Sequence, residues 1–285
     1  MPKEISLSKG AWFMLQSTAW FALMNVFAKL VNHLPATEIV FFRCFVSMLF
    51  CMVALQRFGV SPVGKNKGIL LARGASGTFS LFLYLSTIKH MPLGTAVTIQ
   101  YISPIFTVIL AMLFMSERVS VWQWLFFIIS FSGVFLIKGF DNRVEMIYLI
   151  AGLISAFFSG VAYNLIRSLK GNEHPTVVVF HFMLIGTIAG GIGMLFQFQM
   201  PVGMEWFYLF MIGLTTQFGQ VTMTKALQIS NVTEVSILNY LGVIYAVLFG
   251  YFLFDESLHL LTIGGIALVV AGVIANVAYS SRKKT

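Results

Sequence analysis

Ten apolar stretches, each close to the length of a membrane-crossing helix, occupy almost all of this sequence. A helix needs about 20 residues to cross the hydrocarbon of a bilayer. The runs fall at 11–31, 37–57, 68–88, 95–115, 121–138, 145–167, 175–196, 204–225, 233–253 and 260–280. Pro35, Pro62, Pro92, Pro175 and Pro201 punctuate the gaps, where a missing backbone donor does no harm. Pro2 precedes the first run, and only Pro104 lies inside one. Of the 285 residues 58% are hydrophobic and 10% charged, against about 25% charged in a soluble domain. The expected fold is therefore an all-α integral membrane protein of ten transmembrane helices, with loops too short to form a soluble domain.

The net charge of +8 would suggest nucleic acid in a soluble protein, but here it sorts by side of the membrane. With the N-terminus in the cytoplasm, Lys3, Lys9, Arg57, Lys65, Lys67, Arg73, Arg118, Arg167, Lys170, Lys225, Arg282, Lys283 and Lys284 face inward. Lys29, Lys89, Lys138 and Arg143 face outward, and Arg43 stays within a span. That is 13 against 4, with one left over from the 18 basic residues. The bias predicts a multi-pass cell inner-membrane protein with both ends cytoplasmic. Lys3 and Lys9 ahead of the first run resemble a signal peptide, but the run leads straight into further spans and reads as a retained first helix.

A shift of 139 residues carries Asn25 onto Asn164, Gln100 onto Asn239, Tyr101 onto Tyr240, Glu117 onto Glu256 and Gly133 onto Gly272. The register slips by one between the first two spans, where Pro35 meets Pro175. The chain thus reads as two copies of a five-helix unit, 11–138 and 145–280. Five crossings are odd, so the second copy enters from the opposite side. Two inverted five-helix repeats are a recurrent architecture of secondary transporters, with the substrate site between the halves near the midplane.

The ten spans, the doubled unit, the Glu38 to Arg43 stretch and the segment "TAVTIQYISPIFTVILAMLFMSERVS" resemble the drug/metabolite transporter superfamily. The specific likeness is to its ten-helix, exporter-type (EamA-like) branch, and it extends over about Ala11 to Ser280. Val243 stands where the second copy should repeat Pro104, a departure from the pseudo-symmetry. The resemblance implies movement of small metabolites, amino acids, nucleosides or drugs, without specifying which.

Polar groups inside spans are costly and mark function or packing. Gln100 and Pro104, four apart, share a face, with Tyr101 beside them. Pro104 releases the carbonyl of Gln100 from its helix bond, which suits a polar cavity. Gln217, Gln220 and Thr224 form one stripe, and Ser80 and Tyr84 a smaller one. Asn25 and Asn164 are repeat partners that fit either a site or interhelical glue. Arg43 could bind an anionic group or hold helix carbonyls, and His181 could titrate or simply be hydrogen-bonded. Asn239 and Tyr240 complete the substrate-binding candidates. Chain direction predicts Gln100–Tyr101 in the outer third of the membrane and Asn239–Tyr240 in the inner third, as two ends of one central site.

None of the ten carboxylates lies at a span centre, which argues against a carboxylate proton relay. Glu117 and Glu256 end the fourth and ninth spans and read as caps or loop anchors. Cys44 and Cys51 lie seven apart on one helix, about 10 Å, too far for a disulfide. No metal-binding, Walker A or catalytic pattern appears, so neither a cofactor nor a metal is expected, and the chain is not read as an enzyme. The expected partners are a small-molecule solute and the lipid bilayer, not nucleic acid. The oligomeric state is not legible, and a monomer is compatible with the sequence. The reading is an alternating-access secondary transporter. A solute channel would need rings of like groups along a continuous wet path. An integral-membrane enzyme would need a clustered nucleophile or acid.

Overall fold

The computed structural model describes residues 9–115, 120–229 and 238–282, and all regular structure among them is helical. The elements are α1 (Lys9–Leu30), α2 (Ala36–Phe58), α3 (Lys67–His90), α4 (Leu93–Gln100), α5 (Ser103–Met115) and α6 (Val121–Phe140). They continue with α7 (Met146–Ser168), α8 (Pro175–Met194), α9 (Glu205–Ile229), α10 (Leu241–Phe254) and α11 (Leu260–Arg282). Among the described residues seven spans are long and apolar enough to cross a membrane: α2, α3, α4 with α5, α6, α7, α8 and α11. The apolar α10 is shorter. The chain is a multi-pass membrane protein. With 22 and 25 residues, α1 and α9 have the length, but carry more polar side chains. Their mutual packing explains how these are accommodated. Trp20 stacks on Phe218, and Ser17 Oγ donates to the Gly219 carbonyl at 2.9 Å.

The fourth span is two helices. After α4 the chain turns at Tyr101–Ile102, and Pro104 falls in the first turn of α5, where its missing donor is tolerated. The second copy is also interrupted, at Tyr240 ahead of α10.

Helices pair across the chain: α1 with α9, α2 with α8, α3 with α7, α4 with α10, and α6 with α11. Glycines set how close they come. A methyl on Gly133 would stand 2.5 Å from the Gly265 carbonyl oxygen and 2.8 Å from the Val269 nitrogen. One on Gly272 would stand 2.8 Å from the Phe126 carbonyl and run into Ser130. The 139-residue shift carries Phe126, Ser130 and Gly133 onto Gly265, Val269 and Gly272, so these contacts are reciprocal. Gly186 and Gly190 bring α8 against Cys44 and Phe41 of α2, within the same chain. Both cysteines are buried and free.

One face of the bundle is tied by charge. Lys29 Nζ lies 3.0 Å from Glu256 Oε1 and also donates to the Ile88 and Met91 carbonyls. Glu256 Oε2 accepts from the Leu93 N–H at 2.6 Å, so Glu256 anchors the start of α4. Asp255 takes the left-handed conformation at φ 50°, and the turn lets the Glu256 N–H return to the Gly250 carbonyl. On the same face, Arg143 clasps the buried Asp141 and donates to the Ser257 carbonyl. Burial raises the Asp141 carboxyl, but the hydrogen bonds and charge of Arg143 outweigh it and hold the group below its ordinary value. Glu117, the repeat partner of Glu256, lies outside the described residues.

Candidate functional site

The polar stripes of α1, α3, α7 and α9 turn toward one another and line a cavity in the bundle. Counted as space for the centres of water molecules, it measures about 100 Å³. A single water sphere fills only roughly 10–15 Å³, so the cavity can hold several waters or a small organic molecule. Its polar wall comes from both halves of the chain. Asn25, Arg43, Arg73, Ser80, Tyr84, Gln100 and Tyr101 belong to the first, and Ser159, Tyr163, Gln220 and Asn239 to the second. Phe21, Met24, Leu81, Phe182 and Met223 supply apolar surface.

The hydrogen bonds hold most of these groups in place. Tyr84 Oη donates to Asn25 Oδ1 at 3.0 Å. Gln100 is gripped at both ends of its amide: Nε2 donates to Ser159 Oγ at 2.7 Å, and Oε1 accepts from Ser155 Oγ at 2.7 Å. Ser80 joins the same cluster, 2.8 Å from Ser159 Oγ and donating to the Ser155 carbonyl. Arg43 Nε donates to Thr216 Oγ1 at 2.8 Å. Arg73 Nη2 lies 3.4 Å from Gln220 Oε1, and its guanidinium carbon sits 4.4 Å from the centroid of the Phe182 ring. Gly77 leaves the space that Arg73 fills, since a methyl there would collide with Nη1.

Of the residues singled out from the sequence, Asn25, Arg43, Tyr84, Gln100, Tyr101, Gln220 and Asn239 line the cavity. The others do not. Asn164 bonds the Thr107 carbonyl at 3.1 Å and joins α7 to α5. Gln217 turns into the α2–α9 seam, where Oε1 accepts from Ser47 and from the Cys51 thiol. His181 Nδ1 lies 3.0 Å from the Val177 carbonyl of its own helix. Pro104 sits behind the break and shapes it. Tyr240 is buried against Tyr101, with ring centroids 5.9 Å apart, and its hydroxyl donates to the Tyr101 carbonyl at 3.1 Å.

That last contact corrects two expectations. Tyr101 and Tyr240 are not the outer and inner ends of the site; they touch. The carbonyl answered at the break is that of Tyr101, not Gln100. In the second copy the equivalent carbonyl, Tyr240, accepts from the Val243 N–H at 3.0 Å. Pro104, in Val243's place, has no N–H to offer, and the Tyr240 hydroxyl fills the vacancy.

Sequence reasoning also missed Arg73 as a site residue, counting it only among the inward-facing charges. It lies within α3 and is 2% exposed, so the inward tally falls from 13 to 12. Ser159 and Tyr163 were missed as well, although Ser155, Ser159 and Tyr163 recur every four residues along one face of α7. Among the described residues no group of three or more His, Cys, Asp or Glu side chains is placed to hold a metal ion.

Known proteins bear on this arrangement. Over 272 residues the chain is 31% identical to the pseudopaline exporter CntI of Pseudomonas aeruginosa, covering 94% of this chain and 96% of that one. It is 29% identical over 293 residues to solute carrier family 35 member G1 of Homo sapiens, covering 96% and 79%. It is 24% identical over 279 residues to the S-adenosylmethionine uptake transporter of Rickettsia prowazekii, covering 95% and 92%. A protein of known crystal structure, 16% identical, matches 98% of this chain and 100% of its own with a TM-score of 0.73, a likeness of fold alone. Residues 8–139 and 146–278 both match the EamA-like transporter family, and with nearly the whole chain so matched, the protein belongs to that family.

Proposed function

We propose that this protein is a secondary transporter that carries a small organic solute through the central cavity by alternating access. The observation that carries the reading is the cavity itself: polar groups from both halves of the chain converge on it within an otherwise apolar bundle. Such a site needs no nucleophile or metal. It binds a solute and is exposed first to one side and then to the other. The relatives named for transport include an exporter and an uptake protein, so the direction follows the gradients imposed and not the architecture.

The two halves, 11–138 and 145–280, are inverted repeats in this reading. The reciprocal glycine contacts of α6 and α11 support it. So does a second echo. Ser17 Oγ donates to the Gly219 carbonyl, and Ser155 Oγ lies 2.7 Å from the Ser80 carbonyl oxygen. The same shift carries Gly219 onto Ser80 and brings Ser17 within one residue of Ser155. Of a ten-crossing chain, the charges support an arrangement with both ends cytoplasmic in the inner membrane, and still favour it 12 to 4 with the buried Arg73 left out. His181 has no part in coupling here, because it faces its own helix and not the cavity.

The test is solute counterflow in proteoliposomes. A transporter exchanges labelled external solute against a saturating internal pool and saturates. A channel gives flux that rises linearly with concentration and shows no counterflow, and that result overturns the reading.

A further inference from the structure

Within the transporter reading, we propose that the solute is an organic anion whose carboxylate or phosphate oxygens are held by Arg43 and Arg73. Both side chains are nearly sealed from solvent, at 3% and 2% exposed, and both line the cavity. Neither makes an ion pair with a described residue. Arg43 spends Nε on Thr216 and leaves Nη1 without a partner. Arg73 has only the long contact to Gln220 and the face of Phe182, and leaves Nε and Nη1 unpartnered. Among the described residues, two buried guanidinium groups therefore hold three nitrogens whose N–H donors are unanswered.

No described carboxylate answers them. Glu38 accepts from the Gln199 N–H, Glu173 from Lys65 and Asn66, and Glu205 from Val202. Asp141 is held by Arg143, and Glu256 by Lys29. Among the described residues the cavity wall holds two positive charges and no negative one. Water can satisfy the donors but cannot neutralise the charge, and in a low-dielectric interior an uncompensated cation is strongly unfavourable. An oxyanion does both. The guanidinium fork matches carboxylate and phosphate geometry. The remaining wall suits the rest of such a molecule: amides at Asn25, Gln220 and Asn239 for polar substituents, and Leu81 and Met223 for apolar carbon.

The experiment uses the full chain, purified in detergent, with thermal unfolding as the readout. Acetate, sulfate and phosphate are compared with chloride at matched ionic strength. Succinate is then compared with succinamide, and glycerol 3-phosphate with glycerol. Oxyanions should raise the melting temperature beyond the chloride control, and the neutral counterparts should not. The succinate and glycerol phosphate arms decide between carboxylate and phosphate. Arg43→Gln and Arg73→Gln should each weaken the apparent affinity at least about tenfold, as expected for losing a charge-assisted hydrogen bond, and the Lys variants should retain part of it. Absence of oxyanion stabilisation in the wild type, or equal stabilisation in both Gln variants, overturns the proposal. If the Gln variants do not fold, the wild-type comparison of anion with neutral counterpart still decides. Arginine-dependent binding without counterflow of any solute would overturn the transport reading and leave the anion site standing. Counterflow of neutral or cationic solutes without oxyanion binding would do the reverse.

Discussion

The helix pairs α6–α11 and α4–α10 are built from equivalent parts of the two halves, yet they are held together differently. In α6–α11 each side offers the other the same groups: Gly133 meets Gly265 and Val269, and Gly272 meets Phe126 and Ser130. In α4–α10 the equivalence fails at one residue. Val243 closes its own turn by donating to Tyr240, whereas Pro104 cannot, and Tyr240 reaches across to the orphaned Tyr101 carbonyl. Gly242 makes room for that approach, since a methyl there would meet the Tyr101 ring at 2.9 Å. The pair remote from the cavity keeps the symmetry of the repeat. The pair beside the cavity breaks it and replaces a local backbone bond with a contact between the halves.

The largest effect should come from the symmetric pair. Gly133→Leu and Gly272→Leu both force a side chain into backbone of the facing helix, and each should destabilise by about 3 kcal/mol, at the top of the overpacking range. If the pair is truly reciprocal, the two losses in detergent thermal unfolding should be similar. Gly264→Ala is the control, because its nearest neighbour would be 3.8 Å away and no loss is expected. A large loss at one glycine alone would break the comparison from the symmetric side.

A smaller effect sharpens it from the other side. Tyr240→Phe removes the hydrogen bond to the Tyr101 carbonyl at the break and should destabilise by about 1–2 kcal/mol. Pro104→Ala restores a backbone donor at the position where Val243 has one. In that background the same Tyr240→Phe change should lower stability by less than half as much. Additive losses in this double-mutant cycle would mean that the proline and the tyrosine hydroxyl are unconnected.

The third effect is smaller still and lies on the charged face. Asp141 has a lowered pKa in the folded protein, so its contribution is present above the unfolded value and is lost as pH falls through the folded one. Arg143 is half-exposed, and solvent screening keeps the pair below about 1 kcal/mol. Asp141→Asn should therefore be slightly less stable than wild type at neutral pH, with the gap closing on acidification below the ordinary carboxylate range. A gap that persists at acid pH would assign the loss to packing.

The sequence made the helices legible because each is an apolar run bounded by proline or charge. It made the repeat legible because polar residues in lipid are rare enough for their spacing to carry information. The cavity was legible only in part, and Arg73 shows why. Seven residues into α3 it is close in sequence to a basic loop, and charge counting grouped it with the inward-facing residues. Yet Arg73, Gly77, Ser80 and Tyr84 follow helical spacing along one face, so extending the Ser80–Tyr84 stripe two turns back would have found it. Gln217 shows the opposite limit. It is rotated only about 60° from Gln220, but that places it in the seam with α2, where Ser47 and Cys51 claim it. Tyr101 and Tyr240 were set apart as two ends of the site, though they touch, because the sequence does not reveal where a helix with an internal proline breaks.

The central claim is that one cavity serves both sides of the membrane, and accessibility at Asn239 tests it most directly. Asn239 lines the cavity and is 9% exposed. A single cysteine at that position, with Cys44 and Cys51 replaced by alanine, is labelled with a membrane-impermeant thiol reagent in right-side-out and in inside-out vesicles. The account predicts labelling from both faces, slowed on both by a solute that the protein exchanges. Labelling from one face only, whatever solute is present, would contradict it.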